Sequence, residues 1–461
     1  MQTSHSANRW LVVLGSILIQ LSLGAIYAWS VFTPALKTAG WSKMDTQIVF
    51  AVGLVMFALV MVFAGRAMAR LGPRKLAAAG GLTLGAGYAL AGLLGGTDFW
   101  SVFLGIGVIG GAGIGLGYVV PIAVGMQWFP DKKGMITGLA VAGFGFGAMG
   151  WVKMAGAWGH LIETHGLSTT FLIYGGAFAV MILIGSFWMT MPPKGWQPKG
   201  FVASEPAAAK GRENFTVMEM LRTPQFFLVF LTFAVSAGAG LMSIGLMKLY
   251  PMEALQAAGY GPVEASAIAG TAMAVFFSLA NGIGRIAWGT LSDKIGRRRS
   301  VVVMTSTQAV FLFAFTGMAG NEYLLYLGAM LIGFNFGGNF ALFPTLTADI
   351  FGNDRVGQNY PLIFLSYGVG GIAGPLLGGM LGDMGNFPLA FSICGIACLA
   401  GAVCTLLIHH PDHEEAVRPA SVHGFMHQMH LDHFEEVVEY ALHPDHFRRV
   451  VQEERSDSRM R

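Results

Sequence analysis

The sequence predicts an all-α integral membrane protein, with twelve transmembrane helices in two pseudo-symmetric six-helix bundles and both termini in the cytoplasm. Three observations lead to this fold class. Of the 461 residues, 54% are hydrophobic and only 11% are charged, whereas a soluble domain has about 25% charged residues. Twelve apolar runs are long enough to cross a bilayer, and motifs of the first half recur in the second. This composition excludes soluble, disordered, collagenous and disulfide-rich secreted proteins.

The twelve apolar runs each supply the ~20 residues that a transmembrane helix needs. The first run is too long for a signal-peptide core and is not followed closely by a small-residue cleavage site, so we expect a retained helix. The predicted spans are roughly 10–36, 46–66, 76–95, 99–127, 134–158, 168–191, 226–250, 262–290, 299–319, 322–347, 358–382 and 388–408.

Basic residues are concentrated in alternate loops, which orients the chain. The opposite loops carry little beyond Lys43, with Lys37 at a helix end. The positive-inside rule therefore places the basic loops and both termini in the cytoplasm, and we expect a multi-pass protein of a bacterial cytoplasmic membrane, in contact with lipid. The basic loops contain Arg66, Arg70, Arg74, Lys75, Lys132, Lys133, Lys194, Lys199, Lys210, Arg212, Arg222, Lys294, Arg297, Arg298, Arg299 and Arg355.

An internal repeat divides the chain into two halves. An offset that persists over several elements indicates duplicated six-helix units. The predicted domains are an N-terminal bundle over 1–191, a cytoplasmic connecting loop over 192–225, a C-terminal bundle over 226–408 and an acidic, His-rich tail over 409–461. The matching residues are Gly65 with Gly289 and Gly72 with Gly296, at an offset of 224, and Pro121 with Pro344 and Gly134 with Gly357, at an offset of 223.

The loop after span 8 reads G-x-x-x-D-[RK]-x-G-R-[RK] from Gly289 to Arg298. It resembles the signature of the major facilitator superfamily, in which this loop clamps helices together across the cytoplasmic gate. The copy after span 2 has Ala69 where the family has Asp, so we expect a weaker or differently charged first clamp. The resemblance implies gating roles for Gly65, Arg70, Gly72, Arg74, Gly289, Asp293, Lys294, Gly296 and Arg297.

Span 1 contains the motif Gly24-Ala-Ile-Tyr27-Ala-Trp29-Ser30-Val-Phe32. This motif resembles the oxalate:formate antiporter family, which is akin to the monocarboxylate transporters. The resemblance implies secondary transport of a small carboxylate, with Tyr27 among the substrate-binding residues. The spans contain no nucleotide-binding loop, nucleophile–base pair or metal cluster, so an enzyme, a primary pump and a bound cofactor are not expected.

Arg285 is the charged residue predicted to lie deepest in the membrane. It precedes the loop residue Asp293 by eight positions, about 12 Å along a helix, whereas the midplane lies at about 15 Å. Every acid of the first 408 residues falls in a loop or at a helix end. A lone buried guanidinium requires an anion, and a carboxylate matches it bidentately. The alternative is a structural arginine that bonds the carbonyls of a broken helix.

Asn281 lies four residues before Arg285, on the same helical face, and could donate to the same anion. The pair resembles the span-8 arginine site of the monocarboxylate and oxalate carriers, where the arginine binds the substrate carboxylate. Monocarboxylate members often have Asp in place of Asn281, and an amide cannot take up a proton. The resemblance therefore puts direct carboxylate-type proton coupling in doubt, and leaves both symport and antiport open.

Other residues fall at a similar depth by the same count. Tyrosine hydroxyls could complete the shell of an anion, and Phe rings could form an apolar wall, although packing between helices is the alternative for each. Oxalate carriers of the resembled family have a lysine about as far into span 11 as Tyr367. One arginine suits a monoanion such as lactate, pyruvate or formate, so oxalate:formate exchange is the second candidate. The residues at this depth are Tyr118, Tyr367, Phe336, Phe340 and Asn339.

Two further features have structural interpretations. Gly370, Gly374 and Gly378 in span 11 predict close helix packing, because small residues let backbones approach. Counting residues along spans 5 and 7 places Lys153 and Lys248 near the outer membrane–water interface, where a lysine can extend its amine to water.

The tail has an uneven composition, with 6 arginines, 11 acids and nine of the 12 histidines. The overall charge of +3 therefore sums two unlike parts and indicates no nucleic-acid partner. His423, His427 and His430 share one face of a possible helix and are weak candidates for a Zn²⁺ or Ni²⁺ site. A helix that docks on a partner protein, or a solvated segment, explains them as well. A non-transporting carboxylate sensor that signals through this tail is the other class of function considered.

Overall fold

The structure, a computed structural model, describes residues 9–156, 158–193, 196–198, 214–247 and 249–411. Within these ranges twelve helices are long and apolar enough to cross a membrane, which confirms the predicted number of spans. The helices are α1 (Arg9–Leu23), α2 (Lys43–Leu71), α3 (Pro73–Leu93), α4 (Phe99–Trp128), α5 (Lys133–Ala155), α6 (Leu161–Ser186), α7 (Pro224–Leu246), α8 (Pro262–Ile295), α9 (Arg297–Met318), α10 (Glu322–Phe351), α11 (Val356–Asp383) and α12 (Phe387–Leu406).

Three helices contain or continue into 3₁₀ or π-helical segments. Helix α1 continues as a 3₁₀ segment over Gly24–Val31, while α4 and α8 contain π-helical segments over Phe103–Gly110 and Ala272–Phe277. Short π segments occur often near functional sites. In this chain the three irregular helices carry Tyr27, Tyr118 and Arg285.

The helices extend beyond the predicted ends on the side of the basic loops. Prediction ended three of them at 66, 290 and 347, whereas α2, α8 and α10 end at Leu71, Ile295 and Phe351. The polar last turns lie past the apolar runs on which the prediction depended. Each helix stops at a glycine with a left-handed φ, as helix ends favour. These glycines are Gly72 at 78°, Gly296 at 91° and Gly352 at 94°.

Helix α6 differs from its predicted span at both ends. It begins at Leu161 rather than 168 and ends at Ser186 rather than 191. Gly166 has non-helical angles, with φ of 72°, so the first turns are set off from the rest of the helix. The regular part therefore begins close to the predicted start.

The helices pack through glycines within each bundle. A Cβ at Gly374 of α11 would overlap the carbonyl oxygen of Gly238 in α7, and one at Gly370 would overlap that of Ala234. Helix α5 uses Gly147 in the same way against Leu21 of α1. The predicted packing role of the span 11 glycines is confirmed, because no larger residue fits these contacts.

Contacts between the bundles involve α5 with α8 and α2 with α11. A Cβ at Gly134 would overlap the carbonyl of Gly289, and one at Gly65 would overlap that of Gly357. These contacts lie at the end of the molecule where α2, α4, α8 and α10 finish, hereafter the basic end. The bundles are therefore closed against each other there, and the positive-inside rule predicts that this end faces the cytoplasm.

We expect Gly374→Val to destabilise the protein by about 1–3 kcal/mol, because the added side chain must displace the α7 backbone. Its melting temperature in detergent should fall accordingly. Gly379→Val is the matched control, since it lies in the same helix with open space around it. Equal melting temperatures for the two variants would contradict the close α7–α11 contact.

Candidate functional site

Arg285 is completely buried, at 0% exposure, ten residues before the end of α8. Its Nε donates to Oδ1 of Asn281 at 3.0 Å, and its Nη1 donates to the carbonyl oxygen of Val141 in α5 at 2.9 Å. Its Nη2 is buried without a hydrogen-bond partner among the described residues. The guanidinium is thus fixed by two of its nitrogens and has a third available to an acceptor.

Asn281 contacts the arginine as an acceptor, whereas the sequence suggested that it could donate to an anion beside it. In this arrangement Asn281 orients the guanidinium. The carbonyl of Val141 also accepts a hydrogen bond from the guanidinium. This agrees in part with the alternative of a structural arginine that bonds backbone carbonyls. That alternative does not account for the unpaired Nη2.

Aromatic rings surround the guanidinium. Its Cζ lies 4.1 Å from the ring centroid of Phe340 and 5.8 Å from that of Phe144. Ring faces attract a cation and provide an apolar wall. The wall continues through Tyr118, whose ring centroid is 5.5 Å from both Phe144 and Phe364. A small ligand at Arg285 would therefore meet one charged nitrogen and mostly carbon surfaces.

Four tyrosines are close enough to Arg285 to interact with it electrostatically. The hydroxyl oxygens of Tyr27 and Tyr367 are 2.6 Å apart and join the two bundles by a hydrogen bond. The hydroxyls of Tyr118 and Tyr360 are buried and have no partner among the described residues. An unpaired buried hydroxyl is costly, so two of them in the electrostatic surroundings of an unpaired guanidinium nitrogen favour an acceptor-rich ligand.

Two predicted site residues are engaged elsewhere. Oδ1 of Asn339 accepts from Ser236 at 2.7 Å, and its Nδ2 donates to the carbonyl of Phe336 at 3.1 Å. The Phe336 ring packs on Gly240 and on Phe277. Asn339 and Phe336 thus hold α10 against α7 and α8, whereas Phe340 contacts Arg285 directly.

Sequence reasoning missed Tyr360, Phe144 and Phe364. Tyr360 lies near the basic end of α11, where depth counting places interface residues. The available signal was its spacing, because Tyr360, Phe364 and Tyr367 fall at i, i+4 and i+7, on one helical face. Phe144 lies in a glycine-rich stretch, with Gly143 and Gly145 on either side, which is typical of a helix-packing surface rather than of a ligand site.

The clamp predicted after span 8 is present as a set of ion pairs. Asp293 accepts from the backbone N–H groups of Gly134 and Met135, at 2.9 and 2.8 Å, at the start of α5. Arg297 bonds Asp293 at 2.5 Å and Asp349 at 3.3 Å. Lys133 bonds the other oxygen of Asp349 at 2.8 Å. This clamp, built on Asp293, Arg297, Asp349 and Lys133, joins the start of α5 to α8, α9 and α10.

The corresponding place between α2 and α11 has Ala69 where the repeat has Asp293, and its carboxylate is that of Asp354, just before α11. Next to Ala69 lies a cavity of about 90 Å³, whose lining includes Gly65, Gln127 and Gly357. The link across the bundles is made by the Gln127 amide, whose Nε2 donates to the carbonyl of Asn353 at 2.9 Å and to the carboxylate of Asp354 at 3.4 Å. The two clamps therefore differ, because among the described residues a neutral amide replaces the charged partners of Asp293 and Asp349.

Four other predicted gating residues have defined surroundings. The Arg74 guanidinium lies 4.5 Å from the ring centroid of Phe187, and Gly72 ends α2. Lys294 and Arg70 are exposed.

Some predicted features lie outside the described residues, namely Lys248, His423, His427, His430 and much of the connecting loop. Over the part of the chain that the structure describes, no group of three His, Cys, Asp or Glu side chains could hold a metal ion.

Comparison with known proteins agrees with the fold. The family model of the Major Facilitator Superfamily matches residues 12–277 and 265–449. An uncharacterized MFS-type transporter, YhjX, of Escherichia coli K12 is 30% identical over 377 residues, covering 80% of this chain and 87% of the relative. The oxalate:formate antiporter of Oxalobacter formigenes is 27% identical over 410 residues, covering 88% and 93%.

Apicoplast pyruvate carrier 1 of Toxoplasma gondii is 25% identical over 455 residues, covering 78% of this chain and 82% of the relative. Among solved structures, the fucose:proton symporter FucP of E. coli has a similar fold, with a TM-score of 0.61 at 12% identity. The match covers 86% of this chain and 97% of that chain. These relatives indicate a transporter rather than an enzyme.

We expect Asp293→Asn to speed hydrogen–deuterium exchange at the amides of Gly134 and Met135 about tenfold, because hydrogen bonds to a charged acceptor contribute about 1.5–3 kcal/mol. Mass spectrometry of the detergent-solubilised protein measures this. Lys294→Gln removes the charge of the exposed neighbour and should leave both amides unchanged. Unaltered exchange in Asp293→Asn would show that the carboxylate does not hold the start of α5.

Proposed function

This chain belongs to the major facilitator superfamily, and we propose that it is a secondary active transporter of a small monocarboxylate such as lactate, pyruvate or formate. The carboxylate binds at Arg285 and crosses the membrane as the two bundles alternately open toward each side. In this proposal the membrane is the bacterial cytoplasmic membrane and the basic end faces the cytoplasm.

The observation that carries the proposal is the unpaired Nη2 of a fully buried arginine. A charge at this depth costs at least ~2.5–3.5 kcal/mol without compensation. Each Asp and Glu in the described spans lies within two residues of a span end. No carboxylate in the middle of the described spans neutralises the charge of Arg285, so a ligand must do so. A carboxylate oxygen is a suitable acceptor for a guanidinium N–H.

The neighbouring groups favour a short monoanion. Nη2 of Arg285 and the hydroxyls of Tyr118 and Tyr360 offer three donors, enough for one carboxylate group. The rings of Phe340 and Phe144 suit the methyl or hydrogen that the small acids carry at the other end. A second carboxylate would lack a second buried cation in the described spans, and its charge would be poorly compensated at low dielectric.

Oxalate:formate exchange is the second candidate, because a relative that is 27% identical is named as an oxalate:formate antiporter. The carrier named for pyruvate supports the monocarboxylate proposal instead. A non-transporting sensor would bind the same anion without moving it. The experiment that distinguishes these candidates also shows whether transport is coupled to a proton or to a counter-anion.

We expect Arg285→Gln to reduce carboxylate counterflow in proteoliposomes more than tenfold, because loss of a buried charged partner costs about 2–5 kcal/mol. Arg285→Lys keeps the charge but loses the planar fork, so it should fold and still transport poorly. Labelled lactate, pyruvate, formate and oxalate are compared at an acidic and a neutral pH, which reveals any accompanying proton.

Lys153→Gln is the matched control, since it removes the positive charge of another span residue, near the opposite end of α5 from the clamp. It should transport as wild type does. Wild-type counterflow by Arg285→Gln would overturn the site assignment. Oxalate as the preferred substrate would replace the proposal with the second candidate, and binding without movement would support a sensor.

We also expect Tyr118→Phe and Tyr360→Phe each to raise KM for the carboxylate about fivefold to tenfold, since each removes one hydrogen bond worth about 1 kcal/mol. Initial uptake rates over a range of substrate concentrations measure this. Tyr326→Phe is the control, because its hydroxyl bonds Glu322 in the same helix at 3.0 Å. An unchanged KM in Tyr360→Phe would exclude that hydroxyl from the site.

A further inference from the structure

A second concave feature lies at the basic end, away from Arg285. It is a groove with a volume of about 800 Å³ between α2 and the chain around the start of α11. One wall is a single face of α2, formed by Phe63, Arg66, Ala67 and Arg70 at i, i+3, i+4 and i+7. The opposite wall comprises residues 216–218 with Arg355 and Gln358. One wall of the groove thus lies in the N-terminal bundle, and the other is shared by the end of the connecting loop and the C-terminal bundle.

The groove carries positive charge only. Three of its lining residues are Arg66, Arg70 and Arg355, and none is acidic. None of these arginines forms an ion pair with a described residue. Arg297, in the clamp between α5 and α8, differs from them because it bonds two carboxylates. Arg355 also precedes the first turn of α11, where the helix dipole adds positive potential. The groove therefore attracts an anion.

Nearby acids are directed elsewhere. The carboxylate of Asp354 accepts from Asn214 at 2.8 Å and from Gln127 at 3.4 Å. The carboxylate of Glu219 accepts from the backbone N–H of Thr216 at 2.6 Å and caps the short helix Val217–Leu221. Among the described residues, no carboxylate therefore pairs with the arginines of the groove.

The apolar part of the groove identifies the kind of anion. Phe63 is 64% exposed, Leu71 53% and Met218 59%, and all three line the groove. Arg66 lies five residues before the end of α2, about 7 Å along the helix, and Phe63 lies one turn deeper. A ligand that fits must place negative charge at the arginines and hydrocarbon over Phe63. Soluble phosphate lacks the hydrocarbon, whereas a phospholipid has both.

We propose that this groove binds the headgroup phosphate of an anionic phospholipid, with an acyl chain over Phe63. The phosphate contacts Arg66 and Arg70 from one bundle and Arg355 from the other. Ala69, which also lines the groove, stands where the repeat has Asp293. The lipid therefore supplies between α2 and α11 the negative charge that Asp293 supplies between α8 and α5. Basic recesses between membrane helices bind anionic headgroups in this way.

The test measures binding of fluorescent phosphatidylglycerol to the full-length protein in detergent micelles. Arg66→Gln combined with Arg70→Gln should weaken binding about tenfold to thirtyfold, since each basic residue near a membrane surface contributes about 1 kcal/mol. Arg355→Gln, in the other bundle, should weaken it severalfold. Fluorescent phosphatidylcholine should bind the wild type and the variants equally weakly.

The matched control is Lys75→Gln combined with Arg299→Gln, which removes two charges from the same end outside the groove. Its lipid affinity should stay within twofold of wild type, and melting temperatures confirm that all variants are folded. Equal losses in both double variants would indicate diffuse attraction to the basic end and would overturn the site. Displacement of the lipid by millimolar inorganic phosphate would also overturn it, because the groove would then bind phosphate alone.

Discussion

The buried guanidinium of Arg285 is the constraint on which the arrangement of the two bundles depends. A charge that is wholly out of water requires partners of fixed geometry. The structure provides one from its own helix, Asn281, and one from the other bundle, the carbonyl of Val141. Helix α5 must therefore lie directly against α8. Gly138 makes this possible, because a Cβ there would overlap the carbonyl of Arg285 itself.

The anion site and the clamp consequently lie along the same pair of helices. Asp293 is eight residues beyond Arg285, about 12 Å along α8, and it holds the first amides of α5. Separation of α5 from α8 at the basic end breaks the Asp293 bonds, and separation that extends this far along the helices also breaks the Arg285–Val141 bond. In the transport mechanism proposed above, an anion bound at Nη2 neutralises the charge of Arg285. This changes the electrostatic interaction between α5 and α8, the helices that must separate. In this proposal, binding and gating are coupled through the contact between α5 and α8 rather than through a distant relay.

The sequence was sufficient for the spans, the repeat and the position of Arg285, because each follows from local hydropathy or spacing. Phe144 and Tyr360 could not be placed in the same way. Phe144 reaches the arginine only through the glycine contacts that bring α5 against α8, and those depend on which face of α5 meets which helix. Asn339 was expected at the site because of its depth alone. Depth does not give the direction of a side chain around the helix axis, and the structure shows Asn339 bonded to Ser236 instead.

The asymmetry between the two clamps follows from one side chain. Asp293 accepts three hydrogen bonds, whereas the side chain of Ala69 accepts none. Beside Ala69 there is a cavity, and Gln127 donates to the carbonyl of Asn353 and, at 3.4 Å, to the carboxylate of Asp354. Charge-assisted bonds are about twice as strong as neutral ones. Counted over the described residues, the α2–α11 seam is therefore held less firmly than the α5–α8 seam. Helix α11 also carries Tyr360 and Tyr367, so the less firmly held helix contributes two of the four tyrosines near the arginine.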